Sequence, residues 1–415
     1  MRAALYHPWV YLTSGAERTL VELVRRSRHD WTILTHYFSP ATTYPELSDV
    51  RVETLSPPVS VRRSLGPLLQ ATYAVSRAEQ PADAGDALLV SSEGLGDFIV
   101  NRAKIPAACY CHTPLKILHD PETRAALKEL SPRKHAMLRA LGPMFSAADR
   151  RMWSRYQHVF ANSLETRDRI TSAGLAEAAR VEVLRPGVDG SRFVRSGVTR
   201  RRELFLVAGR IMWQKNIELA IDALADARSR GSDIELVIAG AVDEKSRPYL
   251  QQLQARAEGL PVTFEPDPTD ARLTELYLSA TAVVFTARNE DLGIVPLEAM
   301  AAGTPVISVD RGGPRETVVN NVTGWLLPPD AHAFAEQMRA VSVAAERDLG
   351  VLRRAAIERA AEFGWDAFVE RVDDVMELMA AREPVTTPLP ALLAGITGTP
   401  LVPAQVAHAG SSIAQ

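Results

Sequence analysis

Two carboxylates on either side of a predicted helix start form the part of this sequence most suited to chemistry. Glu290 and Glu298 stand eight residues apart. Between them, Gly293-Ile294-Val295-Pro296 predicts a helix start, because proline is tolerated in a helix only in its first turn. Unpaired N–H groups at such a start, beside the positive end of the helix dipole, suit a diphosphate. The two carboxylates can then contact different parts of an elongated ligand whose phosphates lie between them.

The residues that follow predict the end of this helix and a short strand. Gly303 suits a left-handed cap after about Ala302, and the next proline prevents continuation of the helix. Thr304–Val309 is a short apolar run typical of a strand, and Gly312-Gly313 predicts another turn.

This ordered set resembles the retaining glycosyltransferases of the two-domain GT-B type in family 4, which use nucleotide sugars. That family carries two Glu separated by seven residues, a small-residue turn, a Pro-Val-Ile strand and a Gly-Gly-x-x-Glu segment. The corresponding residues here are Glu290, Glu298, Gly303, Pro305–Ile307 and Gly312–Glu316. The resemblance covers about residues 1–385 and implies two Rossmann-like α/β domains with parallel sheets that face one another across a cleft.

A second set of polar residues follows a predicted strand at 203–208. Arg210 and Lys215 carry donors that suit phosphate oxygens, and open α/β sheets bind ligands at the carboxyl ends of their strands. A solvated Arg and Lys at a turn is the structural alternative. The family has Gly-Arg and Lys-Asn at this place, so the resemblance implies that both side chains contact the donor diphosphate.

Ser14-Gly15-Ala16-Glu17-Arg18 opens the first predicted helix, directly after the first strand. The segment is similar to the family's Gly-Gly-Ala-Glu-Arg, whose turn lets the donor phosphate or the acceptor approach the backbone. Since Ser14 replaces the first glycine, the approach is either tighter or uses the hydroxyl group. An ordinary βα turn is the alternative for Ser14 and Gly15.

His112 ends the predicted strand Ala107–Cys111 and precedes Thr113-Pro114. A single histidine is more often packed or hydrogen-bonded than catalytic. The family has a His at this strand end that faces the cleft and touches the transferred sugar. The resemblance therefore implies a site role for His112, and whether it moves a proton or positions a hydroxyl group stays open.

The resemblance assigns different roles to the two glutamates. It implies that Glu298 accepts hydrogen bonds from the ribose hydroxyls and that Glu290 faces the sugar ring, where a carboxylate stabilises positive charge at the anomeric carbon. Donor contacts are also expected from Gly293, Ile294 and Val295. Glu316 is either a further substrate contact or a supporting residue.

The order of predicted elements supports the two-domain organisation. Strands alternate regularly with amphipathic helices from residue 203 onwards, which is typical of a parallel sheet covered on both faces. The boundaries are expected at 1–190 and 191–364, and the resemblance implies that the first is the acceptor domain and the second the nucleotide-sugar domain. It also implies that a C-terminal helix over 365–382 crosses back to the first domain. Residues 383–415 are expected to form a disordered tail.

Composition restricts the class of protein and the compartment. The net charge is −3, and basic residues are not interleaved with aromatic ones, which argues against a nucleic-acid partner. Cys109 and Cys111 lie two apart on one predicted strand, a spacing that rarely gives an unstrained disulfide. No apolar run approaches the roughly 20 residues that cross a bilayer, and no charged-then-apolar leader opens the chain. We therefore expect a cytoplasmic protein.

A basic segment at 133–155 allows two interpretations. It predicts helices broken near Gly142-Pro143, and its only acidic residue is Asp149. Its cationic residues are Arg133, Lys134, Arg139, Arg150, Arg151 and Arg155. They form either a solvated face or a peripheral contact with the inner face of an anionic membrane or with a lipid diphosphate acceptor, worth about 1 kcal/mol per basic residue near the surface.

The resemblance implies a retaining hexosyltransferase, which we expect to need no metal or other cofactor. The motif around Glu290 is most similar to mannosyl-transferring branches, so GDP-mannose is the first candidate donor and UDP-sugars come next. The acceptor is a glycan, a lipid-linked molecule or a small molecule. An epimerase or phosphorylase on the same fold and a non-catalytic nucleotide-sugar-binding subunit are the alternatives. The Glu pair, together with Arg210 and Lys215, fits transfer better.

Overall fold

Short apolar strands alternating with amphipathic helices build two parallel sheets. The structure is a computed structural model that describes residues 1–58, 65–81, 83–194, 197–383 and 385. The predicted tail therefore lies outside the described residues, apart from 383 and 385. No helix in these ranges is long and apolar enough to cross a membrane.

The first lobe, defined here as residues 1–183 around the first sheet, has seven strands in its described part. They are β1 (Arg2–Tyr6), β2 (Asp30–Thr35), β3 (Arg51–Thr54), β4 (Ala87–Ser92), β5 (Ala107–Cys111), β6 (His158–Ala161) and β7 (Val181–Val183). Their helices are α1 (Gly15–Arg26), α2 (Leu65–Arg77), α3 (Lys116–His119), α4 (Pro121–Leu130), α5 (Pro132–Trp153) and α6 (Leu164–Ser172).

The second lobe, defined as residues 201–361, repeats this plan with six strands among its described residues. They are β8 (Arg201–Ala208), β9 (Glu235–Gly240), β10 (Val262–Pro266), β11 (Ala280–Phe285), β12 (Val306–Val309) and β13 (Gly324–Leu327). Its helices are α7 (Ile217–Ser229), α8 (Arg247–Arg256), α9 (Asp270–Ser279), α10 (Ile294–Ala301), α11 (Pro314–Thr317), α12 (Ala331–Val343) and α13 (Glu346–Ala361).

Both sheets have the doubly wound strand order. The first is ordered β3-β2-β1-β4-β5-β6-β7 and the second β10-β9-β8-β11-β12-β13. The paired strands run parallel, for example β1 with β4 and β8 with β11. The order reverses between the strands of each of these two pairs, and ligands of such sheets bind beyond the carboxyl ends of the strands at that point. The predicted α/β class with two Rossmann-like sheets is confirmed.

The last helix, α14 (Trp365–Ala380), packs on the first lobe although it follows the second lobe in sequence. Its buried face, including Phe368 and Val372, joins the core formed by β1, β2 and α1. Arg371 forms a bidentate ion pair with Glu182 of β7, with nitrogen–oxygen distances of 2.7 and 2.8 Å. The helix therefore joins the segment that follows the second lobe to the first lobe.

The segment between the lobes passes close to the start of α14. A Cβ added at Gly187 would lie 2.5 Å from the backbone nitrogen of Trp365, so only glycine fits there. The backbone N–H of Val188 donates to the carbonyl of Phe363 at 3.0 Å. These contacts fix where the chain leaves the first lobe.

One expectation about the first lobe was wrong. The basic segment forms one continuous helix, α5, which runs through Pro143 instead of breaking there. Its last turn buries Met152 and Trp153 in the core, and such tertiary packing outweighs the intrahelical hydrogen bond that proline removes. Cys109 and Cys111 are both free and buried, as their spacing predicted.

Candidate active site

The start of α10 is a bare helix terminus set by local sequence. Gly293 occupies the N-cap position in the left-handed region, with φ of +86°, and no side chain caps the helix there. After the helix, Gly303 has φ of +66°, as its predicted role as a left-handed cap requires. Arg200 donates to the carbonyls of Ala302 and Gly303 at 2.8 and 2.9 Å, so backbone carbonyl groups at the C-terminal end of α10 have hydrogen-bond partners. The free N–H groups of α10 thus lie at its start.

Glu290 lies just before this helix and pairs with Lys215. The Lys215 Nζ donates to the Glu290 Oε2 at 2.6 Å, and the Glu290 side chain is 25% exposed. Burial raises the pKa of the Glu290 carboxyl, but the charge and hydrogen bond of Lys215 outweigh it, helped by Lys116 and Arg210. The net pKa is lowered, so Glu290 is ionised at neutral pH.

Two glycines allow the loop that carries Glu290 to take its position. The backbone N–H of Gly313 donates to the carbonyl of Glu290 at 3.0 Å. A Cβ added at Gly312 would lie 2.4 Å from that same carbonyl oxygen, and one at Gly313 would lie 2.2 Å from the Cα of Leu292. The Gly-Gly pair is therefore the support behind Glu290.

Arg210 follows β8 and lies close enough to Glu290 for its charge to lower the Glu290 pKa. Gly209 precedes it with φ of +113°, and a Cβ added at Gly240 would lie 1.9 Å from the Gly209 carbonyl oxygen. The side chain of Arg210 is exposed and has no hydrogen bond to the residues that the structure describes. It is available to a ligand at the start of α10.

Glu298, inside α10, lies in a different environment. Tyr277 donates its hydroxyl group to the Glu298 Oε2 at 2.8 Å, and Arg192 donates to Oε1 at 3.3 Å. Burial raises the pKa of the Glu298 carboxyl, and the charges of Arg192 and Arg18 with the Tyr277 hydrogen bond offset this only in part. The two glutamates therefore differ in their readiness to take up a proton.

A cavity of about 470 Å³ lies between the lobes beside Glu298. Arg18, Arg192 and Asp270 line it, and each of these charges acts on the Glu298 carboxyl. The residues that line it are Arg18, Glu22, Arg25, Arg26, Glu46, Asp189, Arg192, Asp270, Ala271 and Thr274. Glu298, Glu290, Lys215 and His112 are not in this lining, and the cavity is linked to Glu298 through Arg192, which donates to its carboxylate.

The first lobe meets the start of α10 at Gly15. A Cβ added there would lie 2.8 Å from the Ile294 Cδ1, so the two predicted site segments are in contact. Ser14 caps α1 by accepting from the Ala16 N–H at 3.3 Å. Its hydroxyl group donates to Glu17, which also accepts from the Leu12 N–H at 3.3 Å. The Ser14 hydroxyl group thus serves the turn itself.

His112 follows β5 and takes part in a hydrogen-bond chain. Its Nε2 lies 2.9 Å from the Ser91 Oγ, which in turn lies 3.0 Å from the Nδ1 of His7. Burial lowers the pKa of the His112 imidazole to about 4, with nearby Glu93 raising it and His7 lowering it further. His112 is therefore neutral at neutral pH.

The first lobe holds the residues on both sides of Glu290. Lys116, four residues after His112, donates to the Asn289 carbonyl at 3.1 Å and pairs with Asp291 at 2.7 Å. Arg169 of α6 binds the side chains of both Asn289 and Asp291. These contacts bring the region after His112 and the region around Glu290 together at the cleft.

Glu316 has protein partners for its carboxylate. Arg185 donates to its Oε2 through two nitrogens at 2.7 and 3.0 Å, and the Glu165 N–H donates to Oε1 at 3.0 Å. The Glu316 side chain is only 8% exposed. These contacts favour the supporting role among the two that the sequence left open.

Several residues of the site carried no recognisable sequence signal. Lys116 and Arg169 act through partners more than 100 positions away. His7 follows the first strand as a single histidine, and Ser91 lies inside a strand, so neither departs from an ordinary pattern. The described residues contain no group of three or more His, Cys, Asp or Glu that would hold a metal ion.

Two family models match adjacent parts of the chain. The one described as Glycosyltransferase Family 4 matches residues 13–192, and the one described as Glycosyl transferases group 1 matches residues 192–362. They meet between the two lobes and together take in each of the predicted site residues.

Individual relatives are similar at modest identity. The human alpha-1,3/1,6-mannosyltransferase ALG2 is 33% identical over 186 residues, which are 41% of this chain and 44% of that protein. The D-inositol 3-phosphate glycosyltransferase of Mycobacteroides abscessus is 28% identical over 60% of this chain and 58% of its own. The chain thus spans about half the length of these two relatives. The alpha-1,3/1,6-mannosyltransferase alg-2 of Neurospora crassa is 26% identical over 88% of each chain.

Solved structures share the fold. Anabaena HepE in complex with UDP and glucose superposes with a TM-score of 0.69 at 18% identity, over 91% of this chain and 100% of that one. The sucrose-phosphate synthase of Thermosynechococcus elongatus gives a TM-score of 0.70 at 18% identity, over 92% and 99%. With two doubly wound sheets, the spaced glutamates at α10 and both family models in agreement, the chain belongs to the group 1 glycosyltransferases of family 4, which have the GT-B fold.

Proposed function

We propose that this protein is a retaining glycosyltransferase that moves a hexose from a nucleoside diphosphate sugar to an acceptor hydroxyl group. Mannose from GDP-mannose is the first candidate, supported by the mannosyltransferase names of the human and Neurospora relatives. A UDP-sugar comes second, because the Anabaena neighbour binds UDP and glucose. The acceptor is a glycan, a lipid-linked molecule or a small molecule.

The observation that carries this proposal is the cluster of charges at the bare start of α10. The free N–H groups of the helix, the exposed Arg210 and the Lys215 ammonium group suit the two phosphates of a donor. Glu298 lies about a turn inside the helix, and two residues whose charges act on its carboxyl, Arg192 and Asp270, line a cavity of about 470 Å³. A donor with its diphosphate at the helix start would extend its nucleoside towards Glu298 and its sugar towards Glu290 and His112.

In this arrangement the protein assists transfer mainly by electrostatics. The bond from the anomeric carbon to the diphosphate oxygen breaks, and a bond from that carbon to the acceptor oxygen forms on the same face of the sugar. The acceptor proton passes to the departing phosphate oxygen. The ionised Glu290 stabilises positive charge at the anomeric carbon, while Arg210 and Lys215 stabilise the departing diphosphate.

A panel of nucleotide sugars screened by thermal shift, followed by turnover with the best binder, tests this function. We expect GDP-mannose or a UDP-hexose to raise the Tm and to release nucleoside diphosphate when acceptors are added. Binding with no turnover over a broad set of acceptors would favour the non-catalytic subunit. Release of a sugar 1-phosphate, or epimerised donor without transfer, would favour a phosphorylase or an epimerase.

We further propose that the protein needs no metal ion. Arg210 and Lys215, with the dipole of α10, supply positive charge where a divalent cation would otherwise neutralise a diphosphate. We expect turnover in EDTA to match turnover in Mg²⁺ within about twofold. A loss that Mg²⁺ or Mn²⁺ restores would contradict this part of the proposal.

Peripheral membrane contact is supported by exposed residues of α5. Its cations Arg133, Lys134 and Arg139 are exposed, and Met144 of the same helix is 69% exposed. We expect the protein to pellet with anionic vesicles at low salt and to be released near ~0.5 M salt, where screening is short-ranged. Replacing the three cations by Gln should weaken pelleting. If the protein does not pellet with anionic vesicles at low salt, the basic residues of α5 are solvated and do not bind a membrane.

A further inference from the structure

Three polar side chains meet where β1, β4 and β5 end at the cleft. His7 follows β1, Ser91 lies near the end of β4 and His112 follows β5. His7 and Ser91 are 3% and 2% exposed, so the first two members of the chain are shielded from water. The His7 imidazole is buried, and the Ser91 hydroxyl group joins it to the imidazole of His112.

The partners of His7 assign the direction of these hydrogen bonds. Its Nδ1 lies 3.0 Å from the Ser91 Oγ and also 3.3 Å from the Ser91 carbonyl oxygen. A carbonyl oxygen only accepts, so the Nδ1 of His7 carries a proton and donates to Ser91. The Ser91 hydroxyl group then accepts from His7, which leaves its own single proton to be donated to the His112 Nε2 at 2.9 Å.

We propose that His7 and Ser91 are positioning residues that hold His112 with its proton on Nδ1. An imidazole that accepts at Nε2 and is neutral must carry its proton on the other nitrogen. The lowered pKa of His112, about 4, agrees with a neutral ring over the physiological range. The hydrogen bond to Ser91 occupies only the Nε2 of His112, so the proton on Nδ1 is the one available for donation.

The backbone on both sides holds this ring in place. The His112 N–H donates to the Ser92 carbonyl at 2.9 Å, and the His112 carbonyl accepts from the Asn162 side chain at 3.0 Å. The ring packs edge-on against Tyr110, with centroids 5.0 Å apart. Backbone, ring face and Nε2 are thus fixed together, which leaves little freedom for a ring flip.

The consequence is that His112 acts as a hydrogen-bond donor and not as a base. A neutral Nδ1–H binds an oxygen lone pair, so it positions a hydroxyl oxygen of the transferred sugar and takes no proton in the reaction. The identity of that ligand rests on the proposed function, whereas the tautomer of His112 does not.

Long-range proton–nitrogen correlation spectra of the full chain, labelled with ¹⁵N at histidine, test the tautomer without any substrate. We expect the His112 ring to show the Nδ1–H pattern at neutral pH, assigned by its loss in His112→Gln. In Ser91→Ala, the His112 ring should instead show a mixture of the two tautomers. The matched control is Ser92→Ala, because Ser92 points to the opposite face of β4 and donates to Asp97 at 2.7 Å. An Nε2–H pattern in the wild type would overturn the assignment.

Kinetics with the identified donor test the positioning role. Ser91→Ala and His7→Leu should lower kcat by about threefold to tenfold with little change in donor KM, since one hydrogen bond to the sugar becomes misaligned. His7→Asn, which keeps a donor near the position of Nδ1, should recover most of the loss. If Ser91→Ala keeps the wild-type kcat while its spectra show a mixture of His112 tautomers, the positioning role of Ser91 and His7 is overturned. If no donor is turned over while the spectra show the Nδ1–H pattern, the proposed function fails and the tautomer stands.

Discussion

Glu290 and Glu298 stand at two ends of one short segment, yet their surroundings differ. Glu290 is bound by the Lys215 ammonium group, and its pKa is lowered. Glu298 is bound by the Tyr277 hydroxyl group and, at 3.3 Å, by Arg192, and its pKa is raised. Burial acts in the same direction on both carboxyls. The difference therefore comes from the partners.

This difference teaches how one helix can serve two ends of a ligand. A carboxylate kept ionised by adjacent cations suits the place where positive charge develops during a reaction. A carboxylate held by a neutral hydroxyl group and a longer ion pair suits recognition of the hydroxyls of a ribose. The different surroundings of Glu290 and Glu298 support our proposal that the two carboxylates have separate roles.

The largest expected effect is on turnover, from Glu290→Gln. Removing the negative charge should lower kcat by about 10²-fold or more, because the charge matters most when the anomeric carbon becomes positive. Donor KM should change much less, and the Tm should stay near that of the wild type, since the side chain lines the cleft. The check is steady-state kinetics with the identified donor, alongside a melting curve.

A matched control is Glu218→Gln, which removes a second-lobe carboxylate that binds Tyr249 and Arg288. It should leave kcat unchanged. A kcat within about twofold of wild type in Glu290→Gln would show that Glu290 does not stabilise the developing charge. The different surroundings of the two glutamates would then not reflect different roles in catalysis.

The next largest effect concerns the cations beside Glu290. Arg210→Ala and Lys215→Ala should each weaken the binding of nucleoside diphosphate by about tenfold or more, because a charge-assisted hydrogen bond contributes roughly 1.5–3 kcal/mol. Calorimetric titration measures this, with the exposed Lys245→Ala of the same lobe as control. Wild-type affinity in both variants would remove the two residues from the phosphate site.

A smaller effect is expected at Glu298. Its contacts with the ribose should be similar in the ground state and the transition state, so Glu298→Gln should raise donor KM several-fold and leave kcat nearly unchanged. The kinetic assay used for Glu290→Gln measures both. If Glu298→Gln abolishes turnover at an unchanged KM, the roles of the two glutamates are reversed and the donor lies the other way round.

The pH dependence should separate the two carboxyls further, with the smallest effects of this set. The raised pKa of Glu298 means that it takes up a proton first as the pH falls, whereas the lowered pKa of Glu290 keeps it ionised. As the pH falls below neutral, donor KM should therefore rise before kcat falls. The rise should be absent in Glu298→Gln. A fall of kcat that precedes any change in KM would contradict the order of protonation.

The parts of the site that could be predicted from sequence are those set by neighbouring residues. Gly293 and Pro296 fix the start of α10 locally, and Gly303 fixes its end, so a short stretch contains all the information. The apolar strands likewise predicted two doubly wound sheets, because period and length are local properties.

The rest depends on contacts between distant positions. Lys116 and Asn289 meet across 173 positions, and His7 and Ser91 across 84, which no local pattern encodes. The failure at Pro143 has the same origin, since the burial of the end of α5 is decided by the core it joins. The Ser14 hydroxyl group is a different case, because its partner Glu17 lies only three residues away, in a Ser-x-x-Glu pattern that is a local sign of a helix cap.

The most direct measurement of the central claim is a calorimetric comparison of nucleoside diphosphate with nucleoside monophosphate on the wild-type protein. If the bare start of α10 forms a diphosphate site together with Arg210 and Lys215, a nucleoside diphosphate should bind more tightly than the monophosphate of the same base. We expect the difference for GDP or UDP to be about tenfold or more. Equal affinities, or no binding of either diphosphate, would contradict the account of this cleft as a nucleotide-sugar site.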